Sequence, residues 1–276
     1  ASERNVVIFA GSNGRFSHRC ETIEAQTMVA CSNMSIGGGM SLRWQFGQFR
    51  DSLRRGDIVY MPLEYWTRAT QSVVGEEAPY IVEYAKRSLA QYSLNQQVHA
   101  ILFFDVRYLF SAIGEMILNA VGVERRFSEK SLTIQGDERG HSEEKGRGYR
   151  RYLEQLVLPE VLRINAYSQD PKLQELAEIL EWTAQRGIRV IGGLPTFFDD
   201  INLDTATLQE LAGYFTERGH CFLNLPNRSQ YPRTRFFDKV YHLNEEAQIE
   251  HSKLLAPFLM QAISQGDCPD SARATE

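Results

Sequence analysis

No apolar run in the 276-residue sequence approaches 18 uninterrupted residues, so nothing in it reads as a bilayer-spanning helix. Excess charge is also scarce. Thirty Lys and Arg against 35 Asp and Glu give a net charge of −5, which leaves no electrostatic footprint for nucleic acid or an anionic membrane. There are only four cysteines (Cys20, Cys31, Cys221 and Cys268), and their spacing is not that of metal ligands. Cys20 and Cys31 could pair if the first helix folds back beside the second strand, which would suit an oxidising compartment. Four ordinary thiols fit the sequence equally well. There is no G-x-G-x-x-G turn, no phosphate-loop lysine and no His/Cys/carboxylate cluster at metal spacing, so no cofactor is expected. Repeats and linkers are missing too, and residues 1–276 read as one domain. The first strand begins within five residues of the start, so any targeting peptide or anchor is expected to be absent from this chain.

What is present is an alternation of strands and helices. Asn5-Val6-Val7-Ile8-Phe9-Ala10 reads as a buried parallel strand running into a Gly11-Ser12-Asn13-Gly14 turn. Further strands are expected at 27–31, 57–61, 98–104 and 188–195, with 220–224 as a short edge strand. Helices are expected at 19–26, 41–53, 79–92, 108–121, 148–164, 171–185, 204–218 and 244–263. This order predicts an α/β fold: a three-layer α/β/α sandwich around a doubly wound, mainly parallel five-stranded sheet. Residues 122–150 break the rhythm and read as a polar insertion over the sheet edge, in which Asp137, Glu138 and His141 are either available to a site or part of a solvated polar loop. The polar tail from about 265 is expected to fray.

In such sheets ligands bind at the carboxyl ends of the strands, which is where Ser12 falls. A serine needs a base to become a nucleophile, and the base needs a group that fixes its tautomer. His242, with Asp238 four residues before it at the entrance to the last helix, is the best pair in the sequence. His99 reads as a packed strand residue, His251 as a solvated helix residue, and His18 lacks an orienting acid. An acyl oxyanion also needs convergent donors. The N–H groups of Ser12 and of the Gly37-Gly38-Gly39 loop could supply them, with Asn13 and Asn33 as side-chain candidates.

The run Gly11-Ser12-Asn13-Gly14, then Asn33-Met34, Gly37, Gly39, Leu42, Gly56-Asp57-Ile58-Val59 and Pro62-Leu63-Glu64-Tyr65, together with Asp238 and Tyr241-His242-Leu243-Asn244, resembles the SGNH (GDSL-type) hydrolase superfamily. The likeness is to extracytoplasmic members that act on cell-envelope polymers in polysaccharide O-acetylation or teichoic-acid D-alanylation. It implies a flavodoxin-like SGNH fold, Ser12 as nucleophile, His242 as base, Asp238 as its acid, and an oxyanion hole from Ser12 N–H and a glycine N–H near Gly38. It also implies a periplasmic or membrane-tethered location, a polysaccharide or acyl-ester substrate, and a membrane-bound O-acyltransferase as candidate partner. Three positions depart from the family pattern. Gly11 replaces the usual Asp, three residues rather than two separate Asp238 from His242, and Glu64 stands where an oxyanion Asn is normal. A carboxylate cannot donate to an oxyanion. Either Glu64 points elsewhere and Asn13 or Asn33 substitutes, or catalysis is weak.

The expected function is therefore a serine acyl-ester enzyme, an acetylesterase or O-acetyltransferase on envelope or exopolysaccharide. The alternative is a catalytically inactive carbohydrate-binding or assembly component of polysaccharide export on the same fold. Glu64 and the aromatics Tyr60, Tyr65 and Trp66 suit that alternative, because aromatic faces stack on sugars.

Overall fold

Along the first strand, β1 (Asn5–Ile8), successive side chains must point to opposite faces, and both faces are apolar. The structure, a computed structural model, describes residues 4–37, 41–65, 94, 131–158, 161–162 and 171–265. In it β1 lies between β2 (Ala30–Asn33) and β3 (Ile58–Pro62), and the sheet continues through β4 (Arg189–Gly193) to β5 (Cys221–Leu223). All four pairings are parallel, with Val6 beside both Cys31 and Ile58.

The helices in chain order are α1 (Ser12–Ser17), α2 (Cys20–Thr27), α3 (Leu42–Gly47), α4 (Glu143–Gly146), α5 (Arg150–Gln155), α6 (Pro171–Gln185), α7 (Thr205–Thr216) and α8 (Glu245–Gln265). Val7, Val59, Met61, Val190 and Phe222 pack on one face against Leu42 and Phe46 of α3, Leu176 and Leu180 of α6, and Phe215 of α7. Val6, Ile8, Ile58, Tyr60 and Ile191 pack on the other, against Ile23 of α2 and Leu255 and Leu259 of α8. Each fully buried side chain of this size contributes about 1.5–3 kcal/mol. Two apolar faces require two helical layers. The fold is a three-layer α/β sandwich of the flavodoxin-like kind.

Local chemistry sets the helix ends. Ser41 accepts the Trp44 N–H at the start of α3, Asp204 accepts the Ala206 N–H at α7, and Asn244 accepts the Ala247 N–H at α8. The expected helix 171–185 is α6, and the edge strand at 220–224 is β5. Two expectations are corrected. The helix read over 148–164 stops at Gln155, and Val161–Leu162 is instead a short strand beside Asn202–Leu203. Leu156 is already extended, and Leu158 precedes a proline, which disfavours helix at that position. The second strand, read at 27–31, starts three residues later because α2 runs through Thr27 and ends on Met28 in the left-handed conformation. The strand read at 98–104, the helices at 79–92 and 108–121, Trp66, His99, Gly38 and Cys268 lie outside the described residues.

The described part of the 122–150 insertion, residues 131–150, is docked against the end of β2 and against α1. An antiparallel bridge joins Leu132 to Glu138, and Asn33 N–H donates to Gln135 O at 2.7 Å. Gly136 has φ +96°, and a Cβ there would lie 2.2 Å from Asn33 O, so this close approach requires glycine. Cys20 and Cys31 form a disulfide that ties the start of α2 to β2, and Cys221 is also disulfide-bonded. Among the described residues no helix is long and apolar enough to cross a membrane, and no cluster of three His, Cys, Asp or Glu could hold a metal.

Candidate active site

The strand order places β2 on one side of β1 and β3 on the other, so the chain reverses its direction of progress across the sheet at β1. In open α/β sheets ligands bind outside the carboxyl ends of the strands at such a reversal. Ser12 leaves β1 and Glu64 leaves β3 at this point. Ser12 is the first residue of α1, after Gly11 in extended conformation.

Ser12 Oγ lies 2.8 Å from His242 Nε2, and His242 Nδ1 lies 2.7 Å from Asp238 Oδ1. A carboxylate only accepts, so Nδ1 carries the imidazole proton and Nε2 presents its lone pair to the serine hydroxyl. Asp238 and His242 are buried, and a tight turn holds them: Phe237 N–H donates to His242 O and His242 N–H to Lys239 O. The three-residue interval thus still brings acid and base together. Phe16, one helical turn after Ser12 on α1, stacks on the imidazole with centroids 4.1 Å apart and planes 7° apart. The same short helix carries the serine and the ring that fixes the plane of the histidine.

Residues flanking the serine and histidine are bonded to each other. Asn13 Oδ1 accepts Thr196 N–H at 3.1 Å and Thr196 Oγ1–H at 2.9 Å. Thr196 Oγ1 is 2.6 Å from Ser17 Oγ, and Ser17 Oγ donates to Tyr241 O at 3.1 Å. Sequence reasoning missed Phe16, Ser17 and Thr196. For Thr196 the signal is its place just after the glycines that end β4; for Phe16 it is the helical offset from Ser12.

Four expected roles are revised. Asn13 is not placed as an oxyanion donor, because it is fully buried and its amide donates to Pro62 O at 2.9 Å. Asn33 is spent in the same way, donating to Gly14 O and to Asp137 Oδ1, each at 2.9 Å. Glu64, expected in the oxyanion region of the site, is taken up by the backbone on either side of Ser12 instead. Its carboxylate accepts Gly11 N–H at 3.2 Å and Asn13 N–H at 3.1 Å, one on each side of Ser12. Tyr65 is no sugar platform, since its ring is buried against Phe215 and Phe222 and its hydroxyl donates to Met61 O. Tyr60 is fully buried as well. Ser12 N–H, between the two taken by Glu64, donates to no protein acceptor among the described residues.

The insertion residues serve the scaffold. Asp137 accepts Cys20 N–H at the start of α2, and burial pushes its carboxyl up against the lowering effect of Asn33. Glu138 pairs with Arg15 of α1. His141 is buried beside Phe16 and Phe237, and burial depresses its pKa to about 4. His251, read as solvated, is fully enclosed against His18, because the α8 face that carries it packs on the sheet. No protein-family model matches this chain, and no curated protein matches it.

Proposed function

We propose that the protein is a serine-dependent acyl-ester enzyme of SGNH type. The observation that carries this reading is the continuous pair of hydrogen bonds Ser12–His242–Asp238 at 2.8 and 2.7 Å. Ser12 Oγ attacks the ester carbonyl carbon while His242 Nε2 takes its proton, and Asp238 stabilises the imidazolium that results. The carbonyl oxygen becomes an oxyanion and accepts from Ser12 N–H. Collapse of the tetrahedral intermediate expels the alcohol, which His242 protonates, and leaves an acyl-serine. Water or a sugar hydroxyl then gives its proton to His242 and adds to the acyl carbon, and collapse breaks the bond to Ser12 Oγ, which takes that proton back, so the enzyme is an esterase or an O-acyltransferase.

The resemblance directs the substrate to an acetylated envelope polysaccharide or exopolysaccharide outside the cytoplasm. The Cys20–Cys31 disulfide supports that compartment, because such bonds persist where the surroundings are oxidising. The burial of Tyr60 and Tyr65 weighs against the carbohydrate-binding alternative, which drew on their faces.

A fluorophosphonate probe tests the nucleophile: wild type is labelled and Ser12→Ala is not, and equal labelling of both would remove the assignment. On p-nitrophenyl acetate, His242→Ala is expected to lower kcat by about 10³–10⁴, in line with loss of a general base.

A further inference from the structure

From the geometry we infer that Glu64 is the positioning residue for the nucleophile, and that it selects which backbone N–H meets the oxyanion. This inference rests on the reading of Ser12 as the attacking group. The turn at the end of β1 presents three successive N–H groups, from Gly11, Ser12 and Asn13. Glu64 Oε2 takes the first and Oε1 takes the third. A bidentate acceptor of this kind fixes the peptide planes on both sides of Ser12 and leaves the central N–H as the one of the three with no acceptor among the described residues.

The carboxylate is itself held. Glu64 is 2% exposed, and its own backbone carbonyl accepts from Lys172 Nζ at 2.5 Å, so α6 anchors the residue that anchors the serine. Asn13 is fixed a second time through its side chain, which bridges Pro62 O and Thr196. Hydrogen bonds to a charged acceptor are about twice as strong as neutral ones, which suits a turn whose serine must not drift. The carboxylate that looks wrong for an oxyanion site therefore acts behind the serine. Removing its charge does not improve the site.

Glu64→Gln keeps the shape but offers one oxygen and one NH2, so one of the two N–H groups faces a donor instead of an acceptor. Glu64→Ala removes both acceptors. Misplacement of a reacting group by about 1 Å can cost roughly 10²-fold in rate. The expected order of kcat on p-nitrophenyl acetate is wild type, then Gln at about 10-fold lower, then Ala at about 100-fold lower, with KM nearly unchanged. Thr27→Val is the control. It removes a buried hydroxyl that donates to Ile23 O at the end of α2, in an element that does not hold Glu64, and it should lower the melting temperature while leaving kcat at the wild-type value. If the Glu64 variants retain wild-type kcat, or if the control loses as much activity at a matched loss of stability, the positioning role is wrong. Fluorophosphonate labelling separates this failure from the other. Unlabelled wild type overturns the nucleophile reading, whereas labelled wild type with unaffected Glu64 variants overturns only the role of Glu64.

Discussion

Thr196 shows how much of the candidate site can depend on a residue that touches neither Ser12 Oγ nor the His242 ring. Its hydroxyl and N–H both serve Asn13 Oδ1, and through Ser17 it is tied to the carbonyl of Tyr241, next to His242. Thr196→Val keeps the shape and removes one of the two hydrogen bonds to Asn13 Oδ1 together with the bond to Ser17 Oγ, at a cost of about 0.5–1.5 kcal/mol for each bond lost. The expected outcome is a lower urea midpoint together with slower fluorophosphonate labelling; an unchanged midpoint would show the network to be dispensable. At this scale the sequence was informative about ends and uninformative about middles. Ser12, Asp238 and His242 stand in recognisable surroundings of strand end and helix entrance. The roles of Asn13, Asn33 and Glu64 depend on which backbone groups lie opposite them, and no local pattern encodes that. Glu64 was noticed as an anomaly, but its partners follow only from the meeting of β1 and β3.

Among the elements, α1 is the most constrained. It must lie close enough to the loop after β2 for Ala10 N–H to donate to Ser35 Oγ at 3.0 Å, and Gly14 is what permits this. A Cβ on Gly14 would come within 1.9 Å of Ser35 Oγ and 2.6 Å of Ser35 Cβ. Gly14→Ala should therefore displace α1 or break the Ala10 bond, with an overpacking cost of about 1–3 kcal/mol. A thermal melt checks the cost, and the labelling rate checks whether the serine moves with the helix. α1 was itself not legible as a helix. Six residues containing Gly14 and Asn13 lack a helical propensity of their own, and tertiary contacts impose the conformation. Long amphipathic elements behaved in the opposite way: α6 could be read to the residue because Pro171 opens it and Leu173, Leu176, Ile179 and Leu180 recur at helical spacing. Where α5 gives way to a strand, the warning was a single proline.

For the molecule as a whole, the buried histidines make folding depend on acid. Burial depresses His18 and His141 to about 4 and takes His251 well below its usual value. Above pH 6.5 these groups are neutral in folded and unfolded chains alike and their ionisation favours neither. As the pH falls from 6.5 towards 4, the unfolded chain takes up protons that the folded one refuses, so stability declines through this window. Each unit of depression is worth about 1.4 kcal/mol, so the loss across the three amounts to several kcal/mol. Urea titrations at pH 7.0, 5.5 and 4.5 should show a steady fall in the midpoint, and a flat profile would mean that these rings find protons or partners in the fold.

Ser12 and His242 stand 230 residues apart along the chain, and that distance is also an interval of time. At about 5–20 residues per second, a nascent chain spends roughly ten to fifty seconds with Ser12 already made and His242 still to come. On the proposed reading the serine acquires its base only with the loop before α8, after every strand of the described sheet has emerged.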